Sequence, residues 1–557
     1  MSTIKSSTTT TTAYQVVADT TGALVIQTGA TPTTALTLSS AQVATFANPP
    51  TATGGGSLAT NTAYGTNALA ATNTGGFSVG VGQNAGAANT SGQITAVGNS
   101  ALITNTTGSQ NTAVGISSLY ANSTGGFNTA VGVGSLAANT TQNYNTAVGY
   151  QSANVNTTGQ ITAVGALSLA ANTTGTGLVA VGIEALKANT TASNNTAVGF
   201  QALYSNTTAS NNVAIGYEAS YSLVTNSFTT TVGYRAGKTA TEGYVTAVGT
   251  NAATAATTGF STLCAIGVNA LAANTTGTNN TAIGGYNALA ANTTGGSNVA
   301  VGREALNSNT TASSNTAIGY EALKGTTTAG DNTAVGSQAM ATNTTGNSNT
   351  AVGVVALLNN TTGTNNTIVG KTAGGSITTG SNNVLLGIAA GNTGSNPITT
   401  GGQNIHIGAS TQPSAGSVSY EHILGFNLTG KGASTVFIGQ GACYQGNNSS
   451  SWSTTSDQRL KKNIVDNTDG LSKITGIRVR NFEYRIAEEV TDLPTHAVID
   501  KQGVQLGVIA QELQTVLPDC VKTESTGVMS VDTDNLIWYL VNSIKELKAE
   551  IDALKGA

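Results

Sequence analysis

Residues 336–352 read GSQAMATNTTGNSNTAV, and close variants of this 17-residue unit fill the middle of the chain. The glycine that closes the Thr-Ala-Val-Gly tetrad recurs from Gly65 to Gly387, mostly at gaps of 17 residues with a few of 16 or 18, and again at Gly408 after a longer gap. So short a fixed period is typical of a solenoid, in which each repeat is one coil stacked on its neighbours. The sequence therefore predicts a mainly β fold, a parallel β-roll or solenoid of about 17-residue repeats.

Each coil has room for two short strands and two turns. Thr-Ala-Val favours a strand, and Asn-Thr-Thr-Gly is typical of a turn. Because side chains alternate along a strand, we expect alanine to face the narrow interior and threonine and valine to face outward. The segment around residues 339–341 is the second strand candidate, with a single helical turn as the alternative.

The coil has a thin core of mainly alanine, valine and leucine. Ordering each residue costs roughly 1–2 kcal/mol of backbone entropy, so we expect the outward apolar face to pack on other chains. Stacked at about 4.8 Å, some twenty coils would form an elongated rod of roughly 100 Å.

Charge is scarce and unevenly placed. Charged residues make up 8% of the chain, against about 25% in an ordinary soluble domain. Residues 1–455 carry 16 charges and residues 456–557 carry 28, which predicts a domain boundary near Ser456. The net charge of −4 argues against nucleic-acid binding, and no apolar run is long enough for membrane insertion.

Several site types are not expected. The Asn-Thr-Thr triplets at Asn189 and Asn309 match the glycosylation sequon, but we expect stacked turn ladders because no secretion signal precedes them. The array has almost no Asp for calcium, and we expect no metal ion and no cofactor. The three histidines are scattered, and Cys264, Cys443 and Cys520 are expected to be unpaired thiols.

The repeat unit resembles the heads of trimeric autotransporter adhesins, which are left-handed parallel β-rolls. This resemblance implies a trimer. The N-terminal MSTIKSSTTTTTAYQVV has no apolar core, so we expect no signal peptide and no export route. A cellular trimeric surface adhesin is therefore the second interpretation, and a Thr-rich ice-binding solenoid is a distant third.

The C-terminal residues carry a more specific resemblance. SDQRLKKNI at 456–464 is followed by NFEYR at 481–485, LGVIAQE at 506–512 and LPD at 517–519. In order and spacing these motifs resemble the self-cleaving, endosialidase-type intramolecular chaperone of phage tail fibres and tailspikes. The resemblance implies a small α+β domain that brings three chains into register, lets the shaft fold and then cuts itself off. It also implies a virion tail protein made in the host cytoplasm.

The same resemblance implies cleavage between Thr455 and Ser456, with Ser456 as nucleophile and Lys461 as its base. A serine hydroxyl needs a base, and a lysine can serve only if burial or nearby cations such as Lys462 and Arg459 lower its pKa. The alternative is structural, with Ser or Asp as a helix N-cap. Apart from this single-turnover autopeptidase, we expect no hydrolase for an external substrate.

The last helix carries a heptad pattern. Isoleucines and leucines alternate at spacings of three and four, namely Ile537, Leu540, Ile544, Leu547, Ile551 and Leu554. This is the seam of a coiled coil, and the alternative is a helix packed on its own domain. Ile at a and Leu at d favour two strands, so three strands are what the resemblance implies.

The predicted organisation has four parts. Residues 1–52, with strand-like stretches at 14–18, 23–27 and 35–38, form the segment that joins a phage tail or baseplate protein. Residues 53–395 form the shaft, 396–455 the distal tip and 456–557 the chaperone. Tip aromatics Tyr420, Tyr444 and Trp452 are candidates for contact with a host receptor or glycan, and the alternative is that they plug the core.

Overall fold

The computed structural model describes residues 60–241, 244–257, 262–439, 457–492, 499, 501–523 and 527–556, together with the backbone of four strands nearer the N-terminus. The chain forms two units, Met1–Gly295 and Gly296–Ala557. The fold is mainly β: a parallel β-solenoid with a repeat of about 17 residues, and a small C-terminal α/β region that ends in a helix.

The first unit opens with an antiparallel meander of four strands, β1 (Tyr14–Ala18), β2 (Leu24–Thr28), β3 (Thr33–Leu38) and β4 (Ala44–Thr45). The three predicted strand-like stretches are thus confirmed to within two residues. The coils follow, each contributing one strand that pairs in parallel with the next along the chain. These strands are β5 (Thr62–Tyr64), β6 (Val79–Val81), β7 (Ile94–Val97), β8 (Asn111–Val114), β9 (Thr129–Val131), β10 (Thr146–Val148), β11 (Ile161–Val164), β12 (Leu178–Val181), β13 (Thr196–Val198), β14 (Val213–Ile215), β15 (Thr230–Val232), β16 (Tyr244–Val248), β17 (Thr262–Val268) and β18 (Thr281–Tyr286).

In the second unit the same parallel pattern runs through β19 (Val299–Val301), β20 (Thr316–Ile318), β21 (Thr333–Val335), β22 (Thr350–Val352), β23 (Thr367–Val369), β24 (Val384–Leu386), β25 (Ile405–Ile407), β26 (His422–Leu424) and β27 (Val436–Ile438). Its C-terminal region holds α1 (Leu471–Thr475), β28 (Arg480–Phe482), β29 (Gln505–Gly507), α2 (Ala510–Val516), β30 (Val521–Thr523), β31 (Met529–Val531) and α3 (Thr533–Gly556). Short 3-10 turns lie at Gln458–Leu460, Ala487–Glu489 and Pro518–Cys520.

Most coil strands place an alanine inside the coil. In β21, Ala334 is fully buried, whereas Thr333 and Val335 on either side are half-buried. Consecutive strands are in register, so that Ala334 pairs with Ala351 of the next coil. The predicted inward alanine and outward threonine and valine are confirmed.

The rest of the coil is a series of turns, and the prediction of a strand or helical turn around residues 339–341 is wrong. Gln338 and Met340 have left-handed backbones, with φ of 56° and 51°, which strands and right-handed helices do not contain. This conformation costs a non-glycine residue roughly 1–2 kcal/mol. Full burial of Met340 offsets the cost, because burying such a side chain contributes roughly 1.5–3 kcal/mol.

Glycine is required where each strand turns into this series. Gly336 has φ of 139°, and a Cβ atom at this position would overlap the backbone carbonyl of Gly353 in the next coil. A side chain would therefore strain the backbone and push neighbouring coils apart. At the closing glycine, as at Gly346 of the same coil, the backbones of neighbouring coils approach too closely for a side chain.

Buried asparagines form columns along the coil interior. Asn122 Nδ2 donates to Asn105 Oδ1 (2.7 Å), and Asn122 Oδ1 accepts from Asn139 Nδ2 (2.8 Å). Asn189 and Asn309, the two sequon asparagines, are fully buried at equivalent positions. The expectation that these triplets build stacked turns is confirmed.

A second column ends in a carboxylate. In the second unit, Asn366, Asn383 and Asn404 each donate a backbone N–H to the Oδ1 atom of the asparagine one coil earlier. Glu421 continues the column by donating its N–H to Asn404 Oδ1 (2.9 Å). Its fully buried carboxylate accepts from backbone N–H groups, at 3.1 Å from Ser414 and 2.8 Å from Gly432.

His406 takes an alanine position in the interior, between Leu385 and Ile423 of the adjacent strands. It is fully buried, and neither ring nitrogen has a hydrogen-bond partner among the described residues. Glu421 Oε2 is 3.9 Å from His406 Nε2, too far for a hydrogen bond. Burial, with a smaller contribution from His422, lowers the pKa of His406 from its usual 6.5 to about 4.

Replacing Asn122 by alanine should lower the free energy of unfolding by roughly 1–3 kcal/mol, because the amide of Asn139 and the carbonyl of Gly125 lose partners inside the coil. Thr124→Ala, at an exposed position of the same turn, is the control and should change it by less than about 0.5 kcal/mol. Urea unfolding followed by circular dichroism measures both. Equal midpoints for the two variants would contradict a stabilising asparagine column.

The coils around His406 should lose stability as the pH falls from about 6.5 to about 4. Over this range the unfolded chain binds a proton at His406 and the folded chain does not, so the contribution is complete above pH 6.5 and declines by up to roughly 3 kcal/mol towards pH 4. His406→Leu, which matches Leu385 and Ile423, should remove this dependence, and His422→Gln should keep it. Thermal unfolding across the pH series tests this, and an unchanged slope in His406→Leu would refute it.

Candidate functional site

The described C-terminal region begins one residue after the predicted nucleophile. Thr455 and Ser456 lie outside the described residues. Asp457 caps the 3-10 turn Gln458–Leu460, its Oδ1 atom accepting from the Arg459 backbone N–H at 2.8 Å. The Arg459 guanidinium also pairs with this carboxylate (Nη2 to Oδ2, 2.6 Å) and lowers the pKa of Asp457. The predicted alternative of an N-cap is therefore realised, with Asp457 as the capping residue.

Lys461 closes the same turn, donating its backbone N–H to the Gln458 carbonyl (3.0 Å). Lys461 and Lys462 are both exposed. The structure places the predicted base at the end of a compact turn that starts directly after Ser456. The contact between Ser456 and Lys461 itself stays a prediction.

The segment after this turn is attached to α3. Asn542 Nδ2 donates to the Asn467 carbonyl (2.8 Å) and to the Asp469 carbonyl (3.2 Å), and Glu546 Oε2 accepts from the Leu471 N–H (2.6 Å). A groove of about 880 Å³ lies between residues 465–468 and this part of the helix. The sequence analysis did not predict these contacts of Asn542 and Glu546.

One face of α3 packs on its own domain. Leu536 and Tyr539 contact a small core formed by Leu513, Leu517 and Cys520. The Tyr539 hydroxyl donates to Asp519 Oδ2 (2.8 Å), and this contact raises the pKa of Tyr539. The helix is therefore fixed through a face other than the predicted seam.

The seam residues are uncovered in the single chain. They are 42–79% exposed, and comprise Ile537, Leu540, Ile544, Leu547, Ile551 and Leu554. The predicted alternative, a helix packed on its own domain, is observed, but through a face that leaves the seam residues uncovered. Six exposed isoleucine and leucine side chains in one line leave an apolar surface to be covered.

Two motifs of the C-terminal region that lie apart in the sequence, at 481–485 and 506–512, are adjacent in the structure. β28 and β29 pair antiparallel, with Asn481 opposite Leu506. The Arg480 guanidinium forms two hydrogen bonds with the Glu512 carboxylate (2.8 and 3.2 Å) and lowers the pKa of Glu512. This pair was not predicted, because a charge pair between residues so far apart leaves no sequence signal.

The coils carry an exposed but interrupted apolar stripe at positions directly after the closing glycine; in the second unit Arg303, Ser337 and Lys371 break it. In the first unit it contains Ile116, Val133, Tyr150, Ile183, Phe200, Tyr217 and Tyr234, which are 37–54% exposed. In the second unit it contains Tyr320, Val354, Ile388 and Phe426, which are 43–62% exposed. Neighbouring rings stack, with centroids 5.2 Å apart for Phe200 and Tyr217 and 5.3 Å apart for Tyr217 and Tyr234.

Several charged side chains of the coils form ion pairs. Glu218 contacts Arg235 at 2.8 Å and Lys238 at 2.7 Å. The Arg235 guanidinium also lies 5.0 Å from the centre of the Tyr234 ring. In the second unit Lys324 bridges two glutamates, which raises the pKa of Lys324.

Of the predicted receptor-contact residues, Tyr420 is 53% exposed at a left-handed corner with φ of 59°. Tyr444 and Trp452 lie outside the described residues. The parallel strands continue through β27, so the first part of the predicted tip has the same coil architecture as the coils before it.

Three further predictions concern the cysteines, metal sites and membrane-spanning segments. Cys264 and Cys520 are unpaired thiols as predicted, and Cys443 lies outside the described residues. Across the part of the chain that the structure covers, no three His, Cys, Asp or Glu side chains converge as a metal site requires. None of the described helices is both long and apolar enough to cross a bilayer.

Comparison with known proteins bears on the C-terminal region. The model of the Peptidase S74 family, described as chaperone of endosialidase, matches residues 456–522. No curated protein matches the chain. The family match begins at Ser456 and supports the resemblance drawn from SDQRLKKNI and the motifs that follow it.

Proposed function

We propose that the chain is a homotrimeric phage tail fibre, made in the host cytoplasm and mounted on the virion tail. Its coils form the shaft for attachment to the host, and residues 456–557 bring three chains into register and then cleave themselves off. One observation carries this proposal: the match to the endosialidase chaperone begins where the charge-poor solenoid sequence ends.

Register between chains is the physical problem that a chaperone would solve. Within one chain each coil stacks on the next in sequence. Between chains, a slip of one coil, about 4.8 Å, would still set equivalent residues of near-identical repeats side by side. Long-range parallel pairing is slow even without such degeneracy. A registering domain at one end removes the ambiguity.

Two apolar surfaces are suited to assembly. The interrupted apolar stripe runs along the coils, and the seam of α3 is uncovered. An exposed apolar patch of this length on a protein marks an interaction site. The resemblance to trimeric fibres and adhesin heads favours three chains.

The proposed cleavage is an acyl transfer within the chain. Lys461, in its neutral form, accepts the Ser456 hydroxyl proton while Ser456 Oγ attacks the Thr455 carbonyl carbon. The peptide C–N bond breaks, the amine of Ser456 takes the proton, and an ester joins Thr455 to Ser456 Oγ. Water then opens the ester, which frees the Thr455 carboxylate and restores the hydroxyl.

The two ends have distinct proposed partners. Residues 1–52 join a tail or baseplate protein. After cleavage the distal segment would present Tyr420, with Tyr444 and Trp452 beyond it. Aromatic side chains dominate many recognition surfaces, so we assign this end to a host receptor or glycan.

A threefold mass and a high frictional ratio are expected when the full chain with Ser456→Ala is sedimented. Ile544→Asp should prevent assembly and folding, because it places a carboxylate in the seam. Ala553→Asp, which adds the same charge at an exposed position off the seam, should leave the trimer intact. Residues 1–455 expressed alone should aggregate. A compact monomer from the full chain would refute the trimer.

Wild type should yield two fragments, one ending at Thr455 and one starting at Ser456, whereas Ser456→Ala stays whole as a trimer. Lys461→Ala should slow cleavage by roughly 10²–10⁴-fold, the usual range for a general base. Lys462→Ala is the matched control and should have much less effect. Intact mass under denaturing conditions measures the products. If the wild-type chain assembles as a trimer and stays uncut, the peptidase assignment is refuted and the tail-fibre proposal stands.

A further inference from the structure

We propose that Asn542 and Glu546 are positioning residues, which couple the seam of α3 to self-cleavage by holding the segment that follows Ser456 and Lys461. This inference rests on the proposed function and extends it to residues outside the family match, which ends at 522. It is drawn from contacts between α3 and backbone groups some 75 residues earlier in the chain.

The two side chains lie one helical turn apart and hold three backbone groups in succession. Asn542 donates to the carbonyls of Asn467 and Asp469, and Glu546 accepts from the N–H of Leu471. That N–H belongs to the first residue of α1 and has no partner within its own helix. A carboxylate is the side chain best suited to it, because helix N-termini carry partial positive charge.

The backbone of this segment lies directly against the helix. A Cβ atom at Gly470 would come within 2.7 Å of the Ser543 nitrogen and of Glu546 Oε1. This approach leaves no space for a side chain, so residues 467–471 follow the position of α3 closely. The turn with Lys461 is connected to them through only a few residues.

Without these contacts, the chain after Ser456 would next be fixed where α1 packs on α3 and Ile477 packs on the small core. The stretch of chain between Lys461 and its first fixed contact would then lengthen by a few residues. Displacement of reacting groups by about 1 Å can cost on the order of 10²-fold in rate. Covering the seam immobilises α3 and, through Asn542 and Glu546, the segment before α1, which makes cleavage depend on assembly.

The test measures cleavage and assembly in parallel on the full chain. Glu546→Ala and Asn542→Ala should each slow cleavage by on the order of 10–100-fold, and their Ser456→Ala versions should still sediment as trimers. Glu546→Gln keeps a carbonyl oxygen that accepts the Leu471 N–H, so it should restore most of the rate. Asp552→Ala removes an acidic residue of the same helix that pairs with exposed Lys548, and should cut like wild type.

Wild-type cleavage rates in both alanine variants would overturn the proposal, and so would a Glu546→Gln variant as slow as Glu546→Ala. If an alanine variant does not assemble, hydrogen exchange of the Leu471 amide tests the coupling between the seam and this segment instead. In the Ser456→Ala trimer the Leu471 amide should be protected, and Ile544→Asp should remove that protection. If the Leu471 amide exchanges at the same rate with and without Ile544→Asp, the coupling is refuted. A wild type that never cuts refutes the peptidase alone, since exchange still tests whether α3 holds the segment.

Discussion

Most buried asparagines of the coils hydrogen-bond to an asparagine one coil away. The amide of Asn122 meets the amide of Asn105, and Ala334 pairs with Ala351. An unpaired buried amide would cost roughly 1–3 kcal/mol, so a coil whose neighbour differed in length at that point would lose these contacts. This requirement explains why the repeat keeps to about 17 residues and why glycine and asparagine recur while the exposed corners vary.

The same requirement shapes the surface. Residues that point outward also stack on their equivalents, as in the column Phe200, Tyr217 and Tyr234. A column of like charges would repel at this spacing, since charges in neighbouring coils are only about 4.8 Å apart. The coils offset this repulsion by pairing opposite charges: Glu218 lies one coil from Arg235, and Lys324 bridges the stacked carboxylates of Glu304 and Glu321. The low charge of residues 1–455 follows from the stacking and needs no separate functional cause.

Sequence reasoning succeeded where a local pattern determines the structure. The alternation in Thr-Ala-Val correctly predicted which side chains are buried, and the period of the glycines correctly predicted a solenoid. It failed around residues 339–341, because left-handed Gln338 and Met340 are imposed by closure of the coil and not by their own preferences. In the C-terminal region the motif at 456–464 pointed to Ser456 and Lys461. Asn542 and Glu546 left no such signal, because polar residues off the seam are ordinary in a heptad helix.

α3 uses two faces: one, with Tyr539, Asn542 and Glu546 at spacings of three and four, holds its own domain, and the other is the seam. Leu536 and Tyr539 fix the helix to its own small core, the seam from Ile537 to Leu554 is uncovered, and Asn542 with Glu546 reaches the segment before α1. A side chain on one face of a rigid helix cannot move independently of the others. Any partner that covers the seam therefore also restrains residues 467–471. Under the proposed function such a link is needed, because cleavage before the chains are in register would discard the register that the seam is proposed to provide.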